Sequence, residues 1–317
     1  LTKFDIIPAS NYIWNQLELI DFLVQNQQRD IVLTTNSEGC CCRAIGLYDL
    51  LDKFRFQSVT IVTSNPVEQH DHYQIKLTRQ WNFLSVSTAI EDRYHCWNKH
   101  RIFGTIYGRP LWHRIGIASH LLVHHRQLSL IGCRANTGEA DDRELFEVSQ
   151  LFQHDPDSLQ KFSSNWQQFP MLLENLDRYT PGQQNTDGYI SQTKRVYADF
   201  LIDIVAETFT DGDCFFVTEK TVRPMMLKKP FIIFGSKNYL LYLRRMGFRT
   251  FADFWNEDYD GYEGRERFVR ILYLIDSLAQ KSKDELERMY WDMQYSLDHN
   301  YNLLYNQTYT NSINPIP

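Results

Sequence analysis

The stretch Phe200-Leu201-Ile202-Asp203-Ile204-Val205-Ala206-Glu207, then Thr218-Glu219-Lys220-Thr221-Val222-Arg223, then Pro230-Phe231-Ile232-Ile233-Phe234-Gly235, decides the fold. A short apolar run closed by polar residues reads as a buried strand, and it occurs twice here. Between the two runs, Thr218–Leu227 reads as a short helix with Thr218 at its N-cap. Strand, helix and strand in succession make the unit of a parallel sheet covered by helices.

The rhythm extends in both directions. Upstream, Arg101–Tyr107 reads as a strand and Gly108-Arg109-Pro110 as a turn, with Pro110 suited to a first helical position. Leu111, Ile115, Ala118 and Leu122 then stripe one helix face, and Gln127–Cys133 is the next strand. Residues 140–175 read as helical with breaks, and Thr180–Asp187 as a loop. Downstream, Asn238–Met246 is a helix closing at Gly247. Two long helices follow at 262–281 and 283–299, the second with Leu286, Met289, Tyr290, Met293 and Leu297 on one face.

Nearer the start, Tyr12–Gln25 reads as a helix striped by Ile13, Leu17, Ile20 and Val24. Strands at Asp30–Thr35 and Ser58–Ser64 flank a helical pattern at Arg43–Phe54. Asn65-Pro66 is a turn signal, and Tyr73–Leu77 and Phe83–Val86 read as short strands. The expected class is α/β, with two Rossmann-like units facing across a cleft and helices at the C-terminal end. The expected organisation is a first unit over 1–97, a second over 98–299, and a tail over 300–317.

Composition agrees with that size. The chain has 317 residues, about two domains' worth, and 43% hydrophobic content is too apolar for a disordered chain. Lys and Arg total 33 against 39 Asp and Glu, a net charge of -6, which argues against a nucleic-acid backbone as partner. No apolar run approaches the ~20 residues of a membrane-spanning helix. The 6 cysteines form no CxxC pair, and Cys40-Cys41-Cys42 has no zinc spacing. They read as reduced thiols in a cytoplasmic setting.

Three strand-to-helix turns in the second unit carry residues suited to a phosphorylated ligand. Thr218, Lys220 and Arg223 sit at a helix start, where unpaired N–H groups and the helix dipole favour an anion. Glu219 would repel a phosphate but suits a ribose diol. Glu207 follows a strand at its carboxyl end. Arg109 and Arg114 flank another such turn, and Arg is a natural partner of phosphate oxygens. In the first unit Glu38, Glu68, His70, Asp71 and His72 fall in loops after strands. Each is an equal candidate for a general base. His120, His124 and His125 share a helix without the HExxH pattern and read as surface residues. No GxGxxG and no GxxxxGK[ST] occurs.

The segments Phe200–Thr208, Phe216–Thr221 and Lys229–Gly235 together resemble the donor-binding core of GT-B glycosyltransferases, most closely the α1,3-fucosyltransferase type and related bacterial and viral sugar transferases. The resemblance covers about residues 100–260. It implies transfer of a sugar from a nucleotide-sugar donor to a glycan or other hydroxyl acceptor, inverting and without a metal or other cofactor. It places Glu219 on the donor ribose, Lys220 on the phosphates and Glu207 beside the donor sugar, with Arg109 or Arg114 neutralising the pyrophosphate. Ala206 and Thr208 depart from the family's Phe and Asn. Asp258 and Tyr259 fall in an acidic-aromatic segment like one that follows the last donor-domain strand. Asp211-Gly212-Asp213 has an Asp-x-Asp spacing to which the likeness assigns no metal. The alternatives are a non-catalytic nucleotide- or glycan-binding module and another Rossmann-type nucleotide-sugar enzyme.

Overall fold

The computed structural model describes residues 2–7, 14–35, 39–78, 97–98, 100–136, 142–173 and 195–306. The expected strand Phe83–Val86, the loop Thr180–Asp187, Cys96 and Glu38 lie outside them.

The described strands form two four-stranded sheets. The first contains β1 (Thr2–Asp5), β2 (Asp30–Thr35), β3 (Ser58–Thr63) and β4 (Gln74–Leu77), paired in that order and all parallel. Helices α1 (Gln16–Gln25) and α2 (Leu47–Leu51) lie in its crossovers. The second contains β5 (Arg101–Tyr107), β6 (Ser129–Cys133), β7 (Phe200–Ala206) and β8 (Phe231–Phe234), again parallel, in the order β6-β5-β7-β8. All seven residues of β7 are buried, as an inner strand covered on both faces requires.

Helix α3 (Trp112–His124) packs beside β6, and α4 (Asp142–Leu151) and α5 (Pro156–Asn165) pack on α3. Helix α6 (Glu219–Met226) packs beside β7, and α7 (Tyr239–Arg245) follows β8. Helices α8 (Gly264–Ala279), α9 (Lys283–Asp292) and α10 (Gln294–Tyr305) close the chain. Leu286, Tyr290, Met293 and Leu297 join the core of the second unit, as the apolar stripe implies, with Met289 partly buried against it.

Some expectations are corrected. In α1 the buried residues are Leu19 and Leu23, whereas Leu17 and Val24 are exposed. The helix carries two apolar rows, and the sheet covers the row through Leu19 and Leu23. The pattern at Arg43–Phe54 is a helix only over Leu47–Leu51, because Gly46 takes a left-handed conformation with φ 73° at its N-cap. The first strand, Thr2–Asp5, is too short for alternation to announce it. The helix expected to stop at 299 runs on to Tyr305, with Asn300 and Leu304 buried, so the tail begins later than 300.

The two units also interlock beyond a single cut near residue 97. Phe209, Cys214 and Phe216 belong to the hydrophobic core of the first unit. Asn65, just after β3, donates from Nδ2 to the Asp213 carbonyl at 2.8 Å and accepts from the Phe215 N–H at 3.0 Å. Cys214 Sγ lies 2.6 Å from the Gly39 carbonyl. Gly212 has φ 70°, and a Cβ there would stand 2.8 Å from Cys41 Sγ, so the close approach needs glycine. The segment after β7 thus plugs the carboxyl end of the first sheet.

Candidate functional site

Strand order reverses between β5 and β7, since the chain runs from β5 outward to β6 and returns to β7 on the other side. Ligands of open α/β sheets bind at such a switch point, beyond the strand carboxyl ends. The candidate residues Arg109, Arg114, Glu207, Thr218, Glu219, Lys220 and Arg223 all follow β5 or β7.

Two of them are engaged inside the protein. Arg114, in the first turn of α3, is 1% exposed. Its Nε and Nη2 donate to the Ala206 carbonyl at 3.1 and 2.9 Å, Nη2 also reaches Thr208 Oγ1 at 3.2 Å, and Nη1 reaches the Arg109 carbonyl at 3.4 Å. Burial pulls the guanidinium pKa down, while Glu207 and Glu219 pull it back up. Arg114 therefore staples the β5–α3 turn to the end of β7. Arg109 is exposed in the same turn.

Glu207 is 2% exposed. One carboxylate oxygen accepts from Thr218 Oγ1 at 2.7 Å, and the other from Thr221 Oγ1 at 2.6 Å and Tyr239 Oη at 3.2 Å. Both oxygens face the start of α6. Neighbouring His113 brings its Nε2 to 2.9 Å from the Glu207 carbonyl, so Nε2 carries the proton. Burial, with the charge of Arg114 beside it, drives the His113 pKa down to about 3, so the ring is neutral. Its ring stacks on Phe234 at 4.7 Å. Its Nδ1 is buried without a partner among the described residues.

The start of α6 is different. Thr218 is the N-cap, its Oγ1 accepting from the Lys220 N–H at 3.2 Å. Lys220 Nζ pairs with Glu219 Oε1 at 2.8 Å, and both side chains are partly exposed. Burial pushes the Glu219 carboxyl up, but the Lys220 charge and hydrogen bond, with Arg223 behind them, hold it down to about 2. Arg223 is half-buried and also acts on Asp203 inside β7.

Internal carboxylates occupy the starts of α3 and α7 on this edge. Glu144 of α4 accepts from the Trp112 N–H at the start of α3. Asp260 accepts from the Leu240 and Leu241 N–H groups at the start of α7, at 2.9 and 3.0 Å, and pairs with buried Arg267 at 3.1 Å. The acidic-aromatic segment is thus a helix clamp, with Tyr259 buried and Asp258 paired to Arg270. Asp260 and Arg267 escaped the sequence reading, since no local pattern joins them.

Among the described acceptor-side candidates of the first unit, Glu68 and His70 both meet Tyr48. Glu68 is buried and accepts from Tyr48 Oη at 2.5 Å, from the Cys42 N–H at 2.9 Å and from Asn65 Nδ2 at 3.1 Å. Burial raises its pKa against those three bonds. Glu68 thus ties Tyr48, the Cys42 backbone and Asn65 together where the two units meet. His70 is stacked 4.1 Å from Tyr48 and 4.6 Å from Tyr73. Its Nδ1 accepts from the His72 N–H at 3.1 Å, and burial, with Arg43 nearby, lowers its pKa. Asp71 and His72 are exposed.

The helical histidines are also corrected. His120 Nε2 and His125 Nε2 converge on Asp276 Oδ1 of α8 at 2.7 and 2.6 Å, and His120 is 7% exposed, so it is not a surface residue. The pairing joins positions 156 and 151 residues apart, which no local spacing reveals. Among the described residues no helix is long and apolar enough to cross a membrane, and Cys40, Cys41, Cys42, Cys133 and Cys214 are free thiols.

No protein-family model, curated protein or solved structure matches this chain.

Proposed function

We propose that the protein binds a nucleoside diphosphate moiety at the start of α6 and acts as a nucleotide-sugar-dependent glycosyltransferase of GT-B type, with its two α/β units facing across a cleft. One observation carries the reading. Among the helices that follow β5, β7 and β8, the N–H groups starting α3 and α7 are taken by Glu144 and Asp260, whereas α6 begins on the hydroxyl of Thr218, which Glu207 holds from behind at 2.7 Å, beside partly exposed Lys220. An anion is stabilised where backbone N–H groups and a cation meet. Arg223 and exposed Arg109 add positive charge near the same edge. Glu219, held ionised by Lys220, suits a ribose diol, and breaking its pair with Lys220 releases the ammonium to phosphate oxygens.

In this reading fixed cations and a helix start stabilise the leaving diphosphate. Transfer to a glycan or other hydroxyl acceptor, without a metal at the donor and with inversion, follows from the sequence resemblance. A second reading, a nucleotide-binding module without transferase activity, is favoured by the internal engagement of Glu68, Glu207 and Arg114.

The test is a thermal-shift panel of GDP, UDP, CDP and dTDP, followed by donor-hydrolysis assays. A ligand at ~100 times its Kd stabilises by about 2.7 kcal/mol. Lys220→Ala should weaken binding of the preferred diphosphate by about 1.5–3 kcal/mol, the scale of a charge-assisted hydrogen bond, with the fold intact. No shift with any diphosphate removes both readings. Binding without hydrolysis or transfer selects the second.

A further inference from the structure

The end of α3 remote from Arg114 gathers three histidines against one carboxylate. His120 Nε2 and His125 Nε2 lie 2.7 and 2.6 Å from the same oxygen, Oδ1 of Asp276. The three ligand atoms fall within 4.8 Å of one another. The two imidazoles are held by packing, with side-chain exposures of 8% and 11%, while Asp276 is 42% exposed. The His120 ring lies tilted 4.8 Å from His124 and edge-on 5.5 Å from His125, and Phe103 lies 6.2 Å from His125. His124 is turned aside, its Nε2 at 3.1 Å from Ser158 Oγ on α5. The convergence therefore involves two imidazole nitrogens and one carboxylate oxygen on two facing helices.

We propose that His120, His125 and Asp276 form a binding site for a divalent transition metal, with Zn²⁺ the best match, that clamps the end of α3 to α8. Two imidazoles and one carboxylate are a donor set suited to zinc, which takes Zn–N of about 2.0–2.1 Å and Zn–O of about 2.0–2.2 Å. Tetrahedral ligands at such lengths stand ~3.3 Å apart. The carboxylate oxygen, now 2.6 and 2.7 Å from the nitrogens, needs to withdraw by only ~0.6 Å. Asp276 has the solvent-facing freedom to do so, and the two nitrogens, within 4.8 Å of each other, must also come to ~3.3 Å by adjustment of the rings. On the same solvent side a water completes the fourth position. On binding, each ring takes the tautomer that carries its proton on Nδ1 and offers the Nε2 lone pair to the cation, so two N–H···O bonds become two metal–nitrogen bonds. His120 and His125 follow Arg114 by six and eleven positions, ~9–16 Å along the axis or just past its end, so the metal does not reach the switch-point edge.

The experiment uses the full chain stripped with a chelator and titrated with Zn²⁺ by calorimetry. Co²⁺ serves as a coloured probe. The expected result is one equivalent of Zn²⁺, a visible Co²⁺ ligand-field band that Zn²⁺ displaces, and a higher melting temperature with Zn²⁺ than with EDTA. His120→Ala, His125→Ala and Asp276→Asn should each weaken binding by at least about 100-fold, the upper range for losing even an indirect support of a metal ligand. His72→Ala, on the first unit, should leave it unchanged. Lack of stoichiometric Zn²⁺ uptake and of a Co²⁺ band in the wild type overturns the site, and so does wild-type affinity in Asp276→Asn or His120→Ala. The Co²⁺ spectrum of the wild type decides the matter if a variant fails to fold.

Discussion

Replacing Arg114 with Ala separates a structural staple from a ligand-binding cation. In the native protein the Ala206 carbonyl accepts from Nε at 3.1 Å and Nη2 at 2.9 Å, and Thr208 Oγ1 from Nη2 at 3.2 Å. A hydrogen bond from a charged donor contributes about 1.5–3 kcal/mol. The two bonds to Ala206 share one acceptor and count as about one. Truncation also strips a nearby positive charge from the buried Glu207 carboxylate. The expected loss is about 3–5 kcal/mol, the range for breaking a buried ionic arrangement on one side. A kilocalorie moves Tm by about 2–4 °C in a chain of 150–250 residues and by about 1.5 °C in one of this length, so Tm should fall by roughly 5–8 °C. Arg114→Lys should cost nearly as much, because an ammonium cannot reproduce the fork to Ala206 and Thr208. Arg109→Ala, at an exposed turn position, should change stability by no more than about 0.5 kcal/mol. The assay is urea unfolding of the variants followed by circular dichroism, with slopes compared to confirm that the same surface unfolds. Each variant is also titrated with the nucleoside diphosphate well below its midpoint. A stable Arg114→Ala protein that has lost diphosphate binding would refute the staple and return the guanidinium to the ligand.

Two further outcomes follow from buried carboxylates. Asp203 lies inside β7, accepts from Tyr197 Oη at 2.5 Å with Arg223 and Lys229 nearby, and is raised by burial from 3.8 to about 6. The native state then keeps a proton that the unfolded chain loses, so stability falls as pH rises through that window, by about 3 kcal/mol in all at 1.36 kcal/mol per unit. Asp203→Asn should stabilise by up to about that amount at pH ~8 and hardly at all near pH ~4, as read from melting curves; equal shifts at both pH values would count against it. Glu68→Gln should destabilise by about 1.5–3 kcal/mol, since an amide nitrogen replacing Oε2 would face the Cys42 N–H and Asn65 Nδ2, and replacing Oε1 would face Tyr48 Oη. An unchanged urea midpoint with lost activity would instead make Glu68 a base.

The parts legible in the sequence are those encoded locally. Strands β2, β5 and β7 fall at Asp30–Thr35, Arg101–Tyr107 and Phe200–Ala206, where short segments rich in Ile, Val, Leu and aromatic residues mark strands. The N-cap of α6 is legible for the same reason, because Thr218 acts on a residue two positions away. In α1 the pattern offered two apolar rows, and only the position of the sheet decides that Leu19 and Leu23 are the buried ones.

The site is harder to read because a phosphate and a carboxylate make similar demands on a protein. Both are satisfied by N–H groups at a helix start and by a guanidinium. A Rossmann-like edge therefore attracts the chain's own acids as readily as a ligand. Here Glu144 reaches the start of α3 across 32 residues, and Asp260 the start of α7 across 20. Glu207 and Arg114 show the same substitution one level deeper, since each meets a polar group of the protein where the residue type alone would suit a donor. Residue type and strand-end placement locate the edge, but long-range pairing determines which of its charges stay available. By that criterion the start of α6 is distinguished by what its neighbours already hold, with Lys220 and Glu219 partly exposed, paired to each other at 2.8 Å, and Lys220 Nζ also 3.4 Å from Thr218 Oγ1.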